Sequence, residues 1–72
     1  KVYPNPVKDV LNLSYTQNIS SVEVFNMLGQ QVLAKSVNDT QGQVDMSNLA
    51  TGAYIVKIAS ENQIKTVKVL KQ

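Results

Sequence analysis

The charged residues of this chain able to move protons are five carboxylates, Asp9, Glu23, Asp39, Asp45 and Glu61, and seven lysines; His, Cys and Arg are absent. A Ser or Thr nucleophile needs a base beside it. Here only Lys or a carboxylate is available for that task, and the sequence contains neither a serine elbow nor a Ser-x-x-Lys arrangement. A pair of carboxylates is the equipment of glycoside hydrolysis. Each acid of this chain, however, falls at a turn or on the polar face of a strand pattern, where solvation explains it. No catalytic residue is therefore assigned, and the chain is not expected to be an enzyme.

Metal chemistry is equally thin. Without His or Cys, zinc and copper sites lack their usual ligands. Asn38, Asp39 and Asp45 offer oxygens, but their spacing matches no EF-hand loop and a calcium site draws on about six or more oxygens. Turn formation accounts for Asn38-Asp39. The three glycines, Gly29, Gly42 and Gly52, are too dispersed to cradle a phosphate. No metal and no cofactor is expected. Four aromatics, Tyr3, Tyr15, Phe25 and Tyr54, would bind sugar if three shared an exposed face. Periodicity instead puts Tyr15 and Tyr54 with core residues.

The positive charge is slight, a net +2, and the lysines are scattered. Nucleic-acid binders cluster Arg and Lys on one face. The only group here is Lys65, Lys68 and Lys71, and in a strand Lys68 points away from the other two. Nucleic acid is not an expected partner. No apolar run approaches the ~20 residues of a membrane-spanning helix. At 72 residues the chain reads as one domain. Folding at this size removes only ~60% of the unfolded chain's surface from water, with no disulfide to help. The chain opens on Lys1 without a signal peptide, and is read as a fragment of a longer protein.

The elements that position these residues are strands. Alternation with a period of two dominates, and helical periodicity is missing. Val10–Tyr15 places Leu11, Leu13 and Tyr15 on one face. Val22–Asn26 and Gln31–Lys35 form a hairpin around Met27-Leu28-Gly29-Gln30, with Gly29 supplying the turn. Asn38–Gly42 reads as a polar turn, Gln43–Asp45 as a short strand, and Met46–Leu49 as one helical turn capped by Asp45 or Ser47. Ala50-Thr51-Gly52 breaks it. Tyr54, Val56 and Ile58 then alternate with Ile55, Lys57 and Ala59. A four-residue loop, Ser60–Gln63, leads to a last strand, Ile64–Leu70. Val67 and Val69 face the core; Lys65 and Lys71 share their parity, which places that strand's ends at the sheet margin, where lysine stems can snorkel. Six or seven short strands predict an all-β antiparallel sandwich, with an open barrel as the alternative. Lys57, Lys65 and Lys68 are read as guards of exposed sheet edges.

Three stretches carry a resemblance. The first is Tyr3-Pro4-Asn5-Pro6 with the strand Val10–Tyr15. The second is Val22–Val32, containing Phe25-Asn26-Met27-Leu28-Gly29-Gln30. The third is Met46–Ile58, containing Gly52-Ala53-Tyr54, with the ending Lys65–Gln72. Together, in this order, they cover essentially the whole chain and resemble the C-terminal sorting domain of the bacterial type IX (Por) secretion system, type A. The resemblance implies a small immunoglobulin-like β-sandwich. It implies a non-catalytic signal at the end of an exported protein of a Gram-negative bacterium. The partners so implied are an N-terminal cargo domain, the outer-membrane translocon and a sortase-like peptidase that removes the domain. The destination is the cell surface or the medium, reached through the periplasm, without membrane insertion of the domain.

Carried over onto this sequence, the candidate recognition residues are Pro4, Asn5 and Pro6, then Gly52 and Tyr54, then Lys68, Val69, Leu70 and Lys71. Gln72 after the last lysine is a small departure. Each also has a plain structural reading. The prolines extend the chain at the start of a strand, Gly52 serves a turn, and Tyr54 and Val69 pack in the core. The tail is expected to offer a free end to a partner, with Lys68 and Lys71 as its point charges. The rival functional class is a carbohydrate-binding or adhesion sandwich appended to a secreted enzyme, which requires exposed aromatics.

Overall fold

A computed structural model describes residues 1–72. It has five strands and no helix: β1 (Val2–Tyr3), β2 (Val10–Asn26), β3 (Gln31–Asp45), β4 (Gly52–Ser60) and β5 (Gln63–Lys71). All strands belong to one curled antiparallel sheet. The all-β, antiparallel expectation holds, but the six or seven short strands become five. The strands expected at Val10–Tyr15 and Val22–Asn26 are one 17-residue strand. Those expected at Gln31–Lys35 and Gln43–Asp45 are one 15-residue strand.

The fusion has a physical cause at Ser20. In β2 the buried residues are Leu11, Leu13 and Ile19, then Val22 and Val24. Their parity changes from odd to even. The pairing explains it, because Ile19 opposes Ser60 and Ser21 opposes the adjacent Ala59. Ser20 is thus an extra residue, a β-bulge, and its hydroxyl donates to the Ala59 carbonyl at 3.1 Å. The break in alternation marks a change of face inside one strand.

The same bend runs through β3. Asn38 adopts φ 55° there, and the register with β2 shifts on either side of Ile19. Asn38–Gly42 is therefore the exposed bend of an edge strand, and its polarity reflects solvent contact. Two halves of β2 consequently have different neighbours. The N-terminal half lies between β1 and the end of β3; the C-terminal half lies between the start of β3 and β4. Curling brings Leu11, Leu13, Ile19, Val22, Val24, Val44, Met46, Tyr54, Val56, Ile58, Val69 and Val7 into one buried cluster. Burial of such side chains from both halves is the main force closing so small a sheet.

The hairpin around Gly29 forms as expected, with Gly29 at φ 84°. Asn26 fixes it: its Oδ1 accepts from the Leu28 and Gln30 amides at 3.0 Å each, and its Nδ2 donates to Gln30 Oε1 at 2.9 Å. Met46–Leu49 is a tight turn without helix, closed by Leu49 N–H to Met46 C=O at 3.0 Å. Its cap is Asp45, which accepts from the Ser47 amide at 2.9 Å. The β4–β5 loop is shorter than the predicted four residues. Ser60 and Gln63 already pair, leaving Glu61 and Asn62 as the turn.

Candidate functional site

The structure gathers the candidate residues, which come from the first and third stretches, at one corner, around the end of β5. On one side β5 pairs with β4: Gly52 opposes Lys71, Ala53 opposes Leu70, and Tyr54 opposes Val69. On the other side the Pro4–Val7 segment takes the place of a neighbouring strand. Leu70 N–H donates to Asn5 Oδ1 at 3.0 Å, and Asn5 Nδ2 donates to the Lys68 carbonyl at 3.3 Å. Val7 N–H donates to the Leu70 carbonyl, and Gln72 N–H to the Val7 carbonyl, each at 2.8 Å. Val7 itself is fully buried. The segment is not the extended strand start expected of its prolines: the Tyr3–Pro4 and Asn5–Pro6 peptide bonds are cis and the chain bends at Asn5 and Pro6. The two prolines, lacking an N–H, leave no donor unpaired there.

The expected free end is therefore clamped. Lys71, placed by its parity at the sheet margin, is buried to 7% exposure and its ammonium donates to the Gln72 main-chain oxygen at 2.9 Å. Lys65 remains exposed, with its ammonium 5.0 Å from the centre of the Tyr15 ring. Lys68 is exposed on the outer face. Lys57 lies on β4, between β2 and β5, so it guards no edge; its ammonium stands over the Phe25 ring at 5.0 Å.

Gly52 begins β4 at φ 154°, a backbone setting that a side chain would strain. Two residues later Tyr54 packs into the core, and its hydroxyl donates to the Ala50 carbonyl at 2.6 Å. The Gly-x-Tyr step thus fixes the entry of β4 and ties it to the preceding turn. The candidate residues divide by exposure. Tyr54, Val69 and Lys71 are buried and hold the corner; Pro4, Asn5, Pro6, Gly52, Lys68 and Leu70 reach solvent. Val7, which sequence reasoning passed over, is the residue that closes it.

The aromatics form no flat platform. Tyr54 is buried, while Tyr15 and Phe25 are half-buried. Burial also raises the pKa of the Tyr15 phenol. These placements count against the sugar-binding alternative. The carboxylates are dispersed as well, and no three metal-ligating side chains converge. Asp45 is held below its ordinary pKa by hydrogen bonds from the Ser47 hydroxyl and main-chain N–H. It serves a turn.

A five-stranded antiparallel sheet, with the Pro4–Val7 segment and the end of β5 knit into a single corner, defines a small all-β module. The chain belongs to the secretion system C-terminal sorting domain family, whose pattern matches residues 1–72. The chain is accordingly a type IX secretion signal and not a catalyst. It is 36% identical over 73 residues to ulvan lyase NLR42 of Nonlabens ulvanivorans, a match covering 96% of this chain and 14% of the lyase. It is also 40% identical over 58 residues to β-agarase D of Zobellia galactanivorans, covering 81% of this chain and 12% of the agarase. The chain thus spans only a small part of the length of these relatives.

Proposed function

We propose that the chain is a single folded domain at the end of a longer exported protein, a small immunoglobulin-like sandwich read as a shape by the secretion machinery. The observation that carries this reading is the clamp at the end of β5. Stretches 63 and 65 residues apart in sequence meet there through Asn5, so the motif residues become neighbours only in the folded state. The exposed members of the corner, Pro4, Pro6, Lys68 and Leu70, make the contact surface; Tyr54, Val69 and Lys71 keep its shape. In this reading the cargo lies N-terminal to the domain and reaches the periplasm first. An outer-membrane translocon then recognises the corner, and a sortase-like peptidase removes the domain at the surface of a Gram-negative cell. The polysaccharide-directed names of the relatives suggest a cargo of that class.

The test fuses residues 1–72 to a periplasmic reporter in a host with this secretion system. Export of the reporter to the surface or medium is the expected result. A reporter that stays in the periplasm overturns the reading.

A further inference from the structure

The sheet has three edges, and the chain treats them differently. The edge at β1 is only two residues long. The edge at β3 is broken by register shifts and by the left-handed Asn38, and the Lys35 ammonium bridges the bend to the Gln43 carbonyl at 2.6 Å. Bulges and register shifts of this kind prevent another strand from adding. The exposed Lys65 and Lys68 of β5, read above as edge guards, act more selectively, opposing a lysine-bearing strand and not an acidic one. The third edge, at β5, is regular. Its pairing with β4 runs from Ser60–Gln63 to Gly52–Lys71 without a shift.

Half of that regular edge is occupied. Asn5 and Val7 take the outward-pointing groups of Lys68 and Leu70. In an antiparallel strand these groups alternate, so the N–H and C=O of Ile64 and Thr66 point outward too. Nothing pairs with them, and the Ile64 side chain is 71% exposed. Water satisfies such exposed groups in the free domain, and the backbone of an added strand can take its place. The exposed charge on β5 is one-sided, with Lys65 in the open stretch, Lys68 just beyond it and no carboxylate, Lys71 being buried in the clamp. A second copy of β5 would bring lysine against lysine, which is destabilising. A strand carrying carboxylates would be favoured.

We propose that the open stretch Gln63–Val67 accepts an added β-strand: an extended, carboxylate-bearing segment of the export machinery. The Pro4–Val7 clamp limits where that strand can sit. This proposal rests on the sorting reading and adds a contact distinct from the clamped corner.

The test uses Thr66→Pro and Ile64→Pro. Each removes one outward N–H and leaves the β4 ladder intact. Both variants are expected to fold, by circular dichroism, and to lower reporter export by about tenfold, the loss of roughly one edge hydrogen bond plus a steric block. If the unsubstituted domain fails to export the reporter, the sorting reading falls. If it exports and the folded proline variants export equally well, the strand-addition proposal alone falls. Amide exchange on the unsubstituted chain gives a second measure that needs no variant. A synthetic peptide of alternating Val and Glu is expected to slow exchange at Ile64 and Thr66. Two results overturn the proposal: lysine shifts without amide protection, or protection without peptide together with a dimeric mass.

Discussion

Asn5 does with one carboxamide what a neighbouring strand does with its backbone: it accepts from the Leu70 amide and donates to the Lys68 carbonyl. Asn5→Ala removes both bonds at a solvent-exposed site and is expected to cost about 1 kcal/mol in denaturant unfolding. Asn5→Asp keeps the acceptor and is expected to recover part of that loss; the Leu70 amide should exchange faster in the Ala variant only. The two terminal lysines, which the sequence presents as equals, separate by burial. Lys68→Glu reverses an exposed charge and should leave stability within about 0.5 kcal/mol while reducing export of a fused reporter. Lys71→Met keeps the buried stem and removes an ammonium whose desolvation is costly, so it should fold at least as well and still be exported. Equal export defects in the two variants, with both folded, would show that the buried charge is read as well. The residue types at this corner were legible as a set. Their contacts were not, because alternation reports which face a residue occupies and says nothing of a partner some 65 positions away.

At the scale of elements, the faces of the first part of β2, of β4 and of β5 followed from alternation, down to Val56, Ile58 and Val69 in the core. The lengths did not. A bulge preserves extended backbone while inverting parity, so one strand imitates two. Deleting Ser20 should therefore turn Val22 and Val24 toward solvent and abolish cooperative folding, because a one-residue slip flips every side chain beyond it. Ser20→Ala loses only the bond to Ala59 and should cost at most about 1 kcal/mol. Retention of a sharp thermal transition by the deletion would refute the bulge as the phase switch. The turn between β3 and β4 supplies a pH test. The Asp45 carboxyl is stabilised as the anion by Ser47 in the folded state, so its folded pKa lies below its unfolded one. Its contribution is complete above the unfolded carboxylate value, near 3.9, and fades as pH falls through the lowered folded value. Asp45→Asn should lower the thermal midpoint at neutral pH and narrow the gap to the parent as pH drops through that window. A gap that stays constant with pH would mean that the charge of Asp45 contributes nothing.

At the scale of the whole molecule, the clamp and the core depend on one another. Val7 belongs to the buried cluster and also closes the edge of β5, so the recognition corner forms only when the sheet has curled. A domain of this size is expected to be stable by roughly 4–11 kcal/mol. Leu11, fully buried and so absent from the exposed surface of the corner, offers a way to change folding without altering any residue of the contact surface. Leu11→Ala should cost about 2–5 kcal/mol, a large share of that total. If the machinery reads the folded corner, export of a reporter carrying Leu11→Ala should fall in step with the folded fraction, measured on the purified domain at the growth temperature. Lowering that temperature should restore both together. A signal read as a linear tail predicts something different, because Lys68-Val69-Leu70-Lys71 is present whether or not the sheet forms. Undiminished export from a variant shown to be mostly unfolded would therefore establish the linear reading and remove the corner as the site of recognition.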